Sequence, residues 1–165
     1  RRQRQMCIRD SLYVGNIKDR FFADAVCEYE KRLSSSCKLR NIEIKEERPP
    51  ENPSAAEVNA LLRKEGDRLL AALPQKSYKI ALCVEGTELS SEELAAKLSD
   101  ITVSGHSELT FIIGGAFGMD ERVKKAADFR LSVSRMTFTH RMMRVILLEQ
   151  LYRAQNILMG GHYHK

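Results

Sequence analysis

The run Thr110-Phe-Ile-Ile-Gly-Gly-Ala-Phe-Gly118, followed by Leu131-Ser-Val-Ser-Arg-Met-Thr-Phe-Thr-His-Arg-Met-Met-Arg144, decides how this chain is read. An apolar, β-type run that stops at two glycines marks a sharp turn or the close approach of another group. The second run opens on a hydroxyl-rich loop and ends in a histidine and two arginines. Two candidate ligand-facing loops therefore flank one short helix, whose start is expected at Asp120, with Glu121 in its first turn.

Working outward, residues 109–113 and 78–84 are apolar on both faces, as central strands of a parallel sheet are when helices cover both sides. Residues 11–14 and 39–44 read as further strands, the second with Ile42 and Ile44 alternating against Glu43. Between them, Phe22, Ala25, Val26, Tyr29 and Leu33 recur at helical spacing. Ser54-x-x-Glu57 and Ser90-x-x-Glu93 have the capping-box form and open two more helices, the first closed at Leu73-Pro74. Glu85-Gly86 is expected to turn the chain, and residues 101–107 to form a loop. After His140 a long helix carries Met143, Ile146, Leu147, Leu151, Ala154 and Leu158 on one broad apolar face, which is core or a subunit interface. The alternation predicts an α/β domain with a mostly parallel sheet and helices on both faces, its ligands gathered at the carboxyl ends of the strands.

A chain of 165 residues, 43% hydrophobic and 30% charged, suits a single globular domain. Apolar runs such as residues 145–148 are too short to span a bilayer, and nothing has the form of a secretory signal, so a cytoplasmic protein is expected. Cys7, Cys27, Cys37 and Cys83 form no C-x-x-C pair and are expected to be reduced and mostly buried. The net charge is +5, and Arg1, Arg2, Arg4 and Arg9 against Asp10 supply +3 of it. Residues 1–10 look foreign to the rest of the chain, a basic arm for nucleic acid being the alternative, and the domain is expected to span residues 11–165.

Gly114, Gly115 and Gly118 fit neither the dinucleotide fingerprint nor a phosphate-binding loop, and a plain strand-to-helix turn satisfies the same pattern. Residues 132–139 mix hydroxyls with Val133, Met136 and Phe138, which suits a flat neutral heterocycle such as adenine and equally a short strand with one wet side. His140 at a helix start is commonly structural, and Arg144, Arg153 and Lys165 are phosphate ligands or a solvated face. The tail Gly160-Gly-His-Tyr-His-Lys165 suits base stacking and backbone contact in RNA, or frays as termini do. No carboxylate or cysteine nearby completes a metal site with His162 and His164, and no metal is expected.

With these residues in view, the chain resembles the ribosomal RNA large subunit methyltransferase H family of SPOUT methyltransferases. The resemblance runs from about Leu12 to Lys165. It rests on Leu-Tyr-Val-Gly near the start, Phe-Ile-Ile-Gly-Gly-x-x-Gly, Leu-Ser-x-Ser-x-Met-Thr-Phe-x-His-x-Met-x-Arg, Glu-Gln-x-Tyr-Arg-Ala and the terminal Tyr-His-Lys. It implies a C-terminal trefoil knot, a homodimer formed through the knot and long helix, and S-adenosylmethionine as cofactor. Leu82, Gly114, Gly115, Gly118, Ser134, Arg135, Met136, Thr137, Phe138 and Thr139 are implied at the cofactor. His140, Arg144, Tyr152, Tyr163 and His164 are implied near the RNA, their roles unassigned, with His140 and Arg144 at the mouth of the pocket. The implied reaction, in EC class 2.1.1, methylates N3 of a pseudouridine in 23S ribosomal RNA on assembled ribosomes. The alternatives are a non-catalytic ribosomal RNA-binding protein of the same fold, or an α/β protein holding another nucleotide. Thr139 stands where many relatives have proline, which is expected to loosen the loop.

Overall fold

Ser54 and Ser90 each accept a hydrogen bond from the amide three residues on, and Glu57 and Glu93 bond back, so both capping boxes are closed. They open α2 (Ala55–Ala72) and α3 (Ser91–Val103). In the computed structural model, which describes residues 7–164, the remaining elements are β1 (Cys7–Val14), α1 (Arg20–Leu33), β2 (Cys37–Ile44), β3 (Tyr78–Glu88), β4 (Glu108–Ile113), α4 (Glu121–Ala126), β5 (Phe129–Ser132) and α5 (His140–Met159).

The strands form one sheet in the order β2-β1-β4-β3-β5, with every neighbouring pair parallel. Alternation along the strands builds two cores. Tyr13, Ile80, Leu82, Leu109, Phe111, Ile113 and Leu131 face α1, α3 and α5. Leu12, Val14, Ala81 and Ile112 face α2 and α4, against Leu69 and Val123. The expected α/β class, parallel sheet and two-sided cover are all present.

Four expectations shift. Strand β1 starts at Cys7, earlier than the expected Ser11, and Arg1 to Met6 lie outside the described residues. Asp10 is only 1% exposed. Its carboxylate accepts from Arg40 Nε at 2.5 Å, Arg40 Nη2 at 2.8 Å and Thr110 Oγ1 at 3.2 Å, so strand neighbours on both sides satisfy the buried charge. Strand β3 does not end at Glu85-Gly86 but continues to Glu88, its register with β5 shifting between Leu82 and Thr87. A Cβ on Gly86 would lie 2.7 Å from the Leu131 carbonyl carbon, and only glycine lets the two backbones approach so closely. Helix α3 runs on to Val103, shortening the expected loop, and β5 adds a short strand before the hydroxyl-rich loop. Of the cysteines, Cys37 is buried and Cys83 half-buried, but Cys27 is exposed on α1.

No helix among the described residues is long and apolar enough to cross a membrane. Nor do the described residues contain a group of three or more His, Cys, Asp or Glu side chains able to hold a metal ion.

Candidate functional site

Strand β4 delivers the chain to a tight glycine turn. Gly115 and Gly118 exchange two backbone hydrogen bonds, each 3.1 Å. Gly118 has φ +97°, and a Cβ on Gly114 would lie 2.4 Å from the Gly118 carbonyl oxygen, so the turn needs glycine at both places. Asp120 then caps α4 by accepting from the Arg122 amide at 2.8 Å. After β5 the second loop is shaped by its own hydroxyls. Ser132 Oγ donates to the Ser134 carbonyl at 3.0 Å, and Ser134 Oγ accepts from the Met136 amide at 3.0 Å. Thr139 is the N-cap of α5, accepting from the Met142 amide at 3.3 Å. Its φ of −61° is one that proline adopts, so threonine keeps the backbone direction and adds a cap.

These loops enclose a cavity of about 560 Å³ at the carboxyl ends of β3, β4 and β5. Leu82, Gly114, Gly115, Gly118, Ser134, Met136, Thr137, Phe138 and Thr139 all line it, together with His140. The side chain of Arg135 does not. It is 90% exposed and reaches Glu88 at 3.6 Å, leaving only its backbone between two wall residues. Ile113, Leu131, Val133 and Met143 complete a largely apolar wall, while Glu46, Glu85, Lys124 and Arg141 supply charge.

Lys124 is ion-paired with Glu85 and, at 3.1 Å, with Glu121. Burial works to lower its pKa, but the two carboxylates prevail and raise it, and the lysine in turn holds Glu85 below the usual carboxylate range. Burial pushes the His140 imidazole below its ordinary value, and its buried Nε2 has no hydrogen-bond partner among the described residues. His140 lines the cavity, but this nitrogen is closed off from solvent and is a buried polar group left without a partner.

The other expected RNA-facing residues are elsewhere. Arg144 does not reach the cavity mouth. Its guanidinium carbon lies 3.8 Å from the centroid of the Tyr13 ring, with Glu30 3.8 Å away. Tyr152, Tyr163 and His164 gather farther along α5, beyond the cavity wall. Tyr163 packs edge-on against Tyr152, with centroids 4.7 Å apart. Its hydroxyl lies 3.2 Å from Glu149 Oε1 and 3.5 Å from the Tyr29 hydroxyl. The bond to Tyr29, burial and the Glu149 charge together keep the Tyr163 phenol protonated far above its ordinary range. His164 bonds Glu92 through Nε2 at 2.7 Å and Arg153 through Nδ1 at 3.3 Å.

Glu149, Tyr29 and Glu92 are members of this cluster that the reading of the sequence does not place in the site, and Arg153, which it offers as a phosphate ligand or a solvated charge, joins them. Arg153 pairs with Glu149 one helical turn back and lies over the Tyr163 ring at 4.8 Å. The signal was present in Glu-Gln-x-Tyr-Arg-Ala, whose acid and base stand at i and i+4 on the face that receives the tail.

A family model described as "Predicted SPOUT methyltransferase" matches residues 9–164. A ribosomal RNA large subunit methyltransferase H from Clostridioides difficile (strain 630) is 51% identical over 152 residues, covering 92% of this chain and 96% of its own. Its counterpart from Carboxydothermus hydrogenoformans is 49% identical over the same length and shares. Among solved structures, tRNA (m1G37) methyltransferase from Aquifex aeolicus superposes with a TM-score of 0.52, covering 89% of this chain and 69% of its own. At 15% identity that likeness is one of fold.

Proposed function

As this chain belongs to the SPOUT methyltransferases and, within them, to the ribosomal RNA large subunit methyltransferase H family, we propose that it is an S-adenosylmethionine-dependent ribosomal RNA methyltransferase. The finer reading is methylation of N3 of a pseudouridine in 23S ribosomal RNA, on assembled ribosomes in the cytoplasm, by a homodimer whose C-terminal part forms a trefoil knot. The observation that carries it is one cavity lined by nine of the ten residues that the resemblance assigns to the cofactor.

The cavity suits that cofactor on its own terms. Its volume lies in the range of small-molecule sites, its walls are largely apolar, and backbone groups and a few charged side chains face in from few places. When bound, S-adenosylmethionine supplies an electrophilic methyl group. Leu82, Leu131, Val133, Met136 and Phe138 would hold the adenine and exclude water. The glycine turn and residues 134–139 would offer it backbone donors and acceptors. Ring-nitrogen methylation also needs the base held in line and a route for its proton.

The tail cluster has that chemistry, in the carboxylate of Glu149, the hydroxyl of Tyr163 and the imidazole of His164. His140 and Tyr152 are twelve residues apart on one helix, about 18 Å along its axis. One chain therefore does not bring its own tail cluster to its own cavity. A second subunit, with α5 at the shared face, supplies it.

Calorimetry with S-adenosylhomocysteine tests the cofactor site. Incubating 70S ribosomes with methyl-labelled cofactor, followed by mass spectrometry of the nucleosides, tests the reaction. Label at N3 of a 23S pseudouridine supports the reading. Ribosome binding without label would replace it with the non-catalytic RNA-binding alternative.

A further inference from the structure

Glu65, on the inward face of α2, is 3% exposed and has no ion-pair partner among the described residues. Its Oε1 accepts from the Glu47 amide at 3.0 Å. Its buried Oε2 makes no hydrogen bond. A Cβ on Gly115 would lie 3.0 Å from that oxygen and 3.1 Å from Val14 Cγ1, so the α-hydrogen pointing the same way meets the carboxyl directly. The next residue strengthens the same contact. A Cβ on Gly66 would lie 2.4 Å from Asp120 Oδ2, so glycine there lets α2 settle on the far end of the glycine turn. Glu47 follows Glu46, which lines the cavity. One buried carboxyl thus joins two segments of the cavity wall without being part of it.

We propose that Glu65 is a positioning residue of the cofactor cavity, setting the spacing between Gly115 and the Glu46–Glu47 segment while touching neither cofactor nor RNA. The proposal rests on the reading of this cavity as the cofactor site. A buried carboxylate with one unsatisfied oxygen is costly, and a carboxylic acid in the same place costs less. Burial raises the Glu65 pKa above its ordinary value, and Glu46 and Glu47 add to the rise. The Glu47 amide and Arg68 oppose it. Asp120, which lies beside Gly66, is engaged by Arg122. Neutral Glu65 fits between the two wall segments, whereas its ionised form seeks water and would push them apart.

The test compares wild type, Glu65→Gln and Glu65→Ala as full-length chains. Affinity for S-adenosylhomocysteine is measured by calorimetry from pH 4.5, the ordinary glutamate value, up to pH 9, and exchange of the Glu47 and Gly115 amides by NMR on the ligand-free protein. Glutamine keeps an acceptor for the Glu47 amide and carries no charge. It should bind within about twofold of wild type at pH 4.5, the ordinary glutamate value, and stay level as pH rises, while wild type weakens as Glu65 ionises. Alanine should lose about tenfold at pH 4.5, where Glu65 is protonated, some 1.4 kcal/mol, with faster exchange at both amides. Alanine binding like wild type, or glutamine as weak as alanine, would overturn the proposal. If alanine fails to fold, the wild-type and glutamine pH profiles decide. If wild type binds no S-adenosylhomocysteine, the cofactor reading falls by itself. Glu65 is then judged by whether Glu47 and Gly115 exchange speeds up with pH in wild type more than in Glu65→Gln.

Discussion

The guanidinium of Arg144 stacks on the ring of Tyr13, 3.8 Å from its centroid, and joins the start of α5 to the end of β1. With its side chain only 11% exposed and Glu30 3.8 Å away, Arg144 works inside the fold, under the loop after β1. Replacing it removes a desolvated cation–π contact and leaves Glu30 short of a partner. Arg144→Ala should cost about 2 kcal/mol, lowering Tm by roughly 4–8 °C. Arg144→Lys should recover less than half of this, because an ammonium does not stack as a planar guanidinium does. Calorimetric melts decide it, and an unchanged Tm for Arg144→Ala would return the residue to the RNA-facing surface.

Asp10 anchors the strand that the composition of residues 1–10 disguises. Asp10→Asn leaves Arg40 without its bidentate partner, with Glu108 at 3.3 Å as the remaining carboxylate. Because Arg40 is 40% exposed and can turn to Glu108 and water, the loss is that of buried polar groups left unpaired, about 1–3 kcal/mol. Urea unfolding should show a loss of that order, while the fraction still folded keeps its affinity for S-adenosylhomocysteine.

The legible parts of the fold were those fixed by local chemistry. Both capping serines, Asp120 at the start of α4 and the doubly apolar β4 stand where the pattern put them, because each depends on neighbours in sequence. The missed parts depend on distant partners. Asp10 looked like part of a charged arm because Arg40 and Thr110, which bury it, lie 30 and 100 positions away. Gly86 looked like a turn because nothing local reveals that the β5 backbone passes close by. In the site, the glycine and hydroxyl loops were readable as paired turns. The burial of Arg144 and the Glu149–Arg153–Tyr163 cluster arose only once α1, α3 and α5 were packed together.

Thr139 combines a proline-compatible φ with a side-chain cap. Thr139→Pro should gain a few tenths to about 1 kcal/mol from the stiffer unfolded chain and lose a similar amount with the cap, for a net change within about 1 kcal/mol. Thermal melts and S-adenosylhomocysteine binding should both stay close to wild type. A drop beyond about 10 °C in Tm, more than a change of that size produces, would show that the loop needs the threonine hydroxyl for more than capping.

Burial lowers the folded-state pKa of His140 below its ordinary 6.5. As pH falls below that value, the unfolded chain takes up a proton that the folded chain still refuses, so stability falls with pH until the folded-state pKa is passed. Above about pH 6.5 this group contributes no slope. His140→Gln removes the titration. The stability difference between wild type and variant should therefore move in the variant's favour between about pH 6.5 and 5, by at most about 1.4 kcal/mol per unit. Denaturant midpoints that shift in parallel across that range would rule out a neutral buried imidazole.

If the tail cluster of one subunit completes the cavity of the other, two defective chains should repair each other. Gly115→Trp drives a ring into Glu65 and Val14 behind the cavity wall, where a Cβ already crowds them, and by distorting that wall should abolish cofactor binding. Glu149→Gln leaves the cavity intact but weakens the acceptor beside Tyr163 and Arg153. Alone, it should keep its affinity for S-adenosylhomocysteine while methyl transfer falls by roughly 100-fold. In a mixed dimer, one site combines both defects and the other combines an intact cavity with an intact tail. Each heterodimer should then regain about half the wild-type rate, and a randomly reassorted equal mixture about a quarter. A cluster serving its own chain predicts a mixture as inactive as its parts. Label incorporation into 70S ribosomes before and after subunit exchange separates the two outcomes.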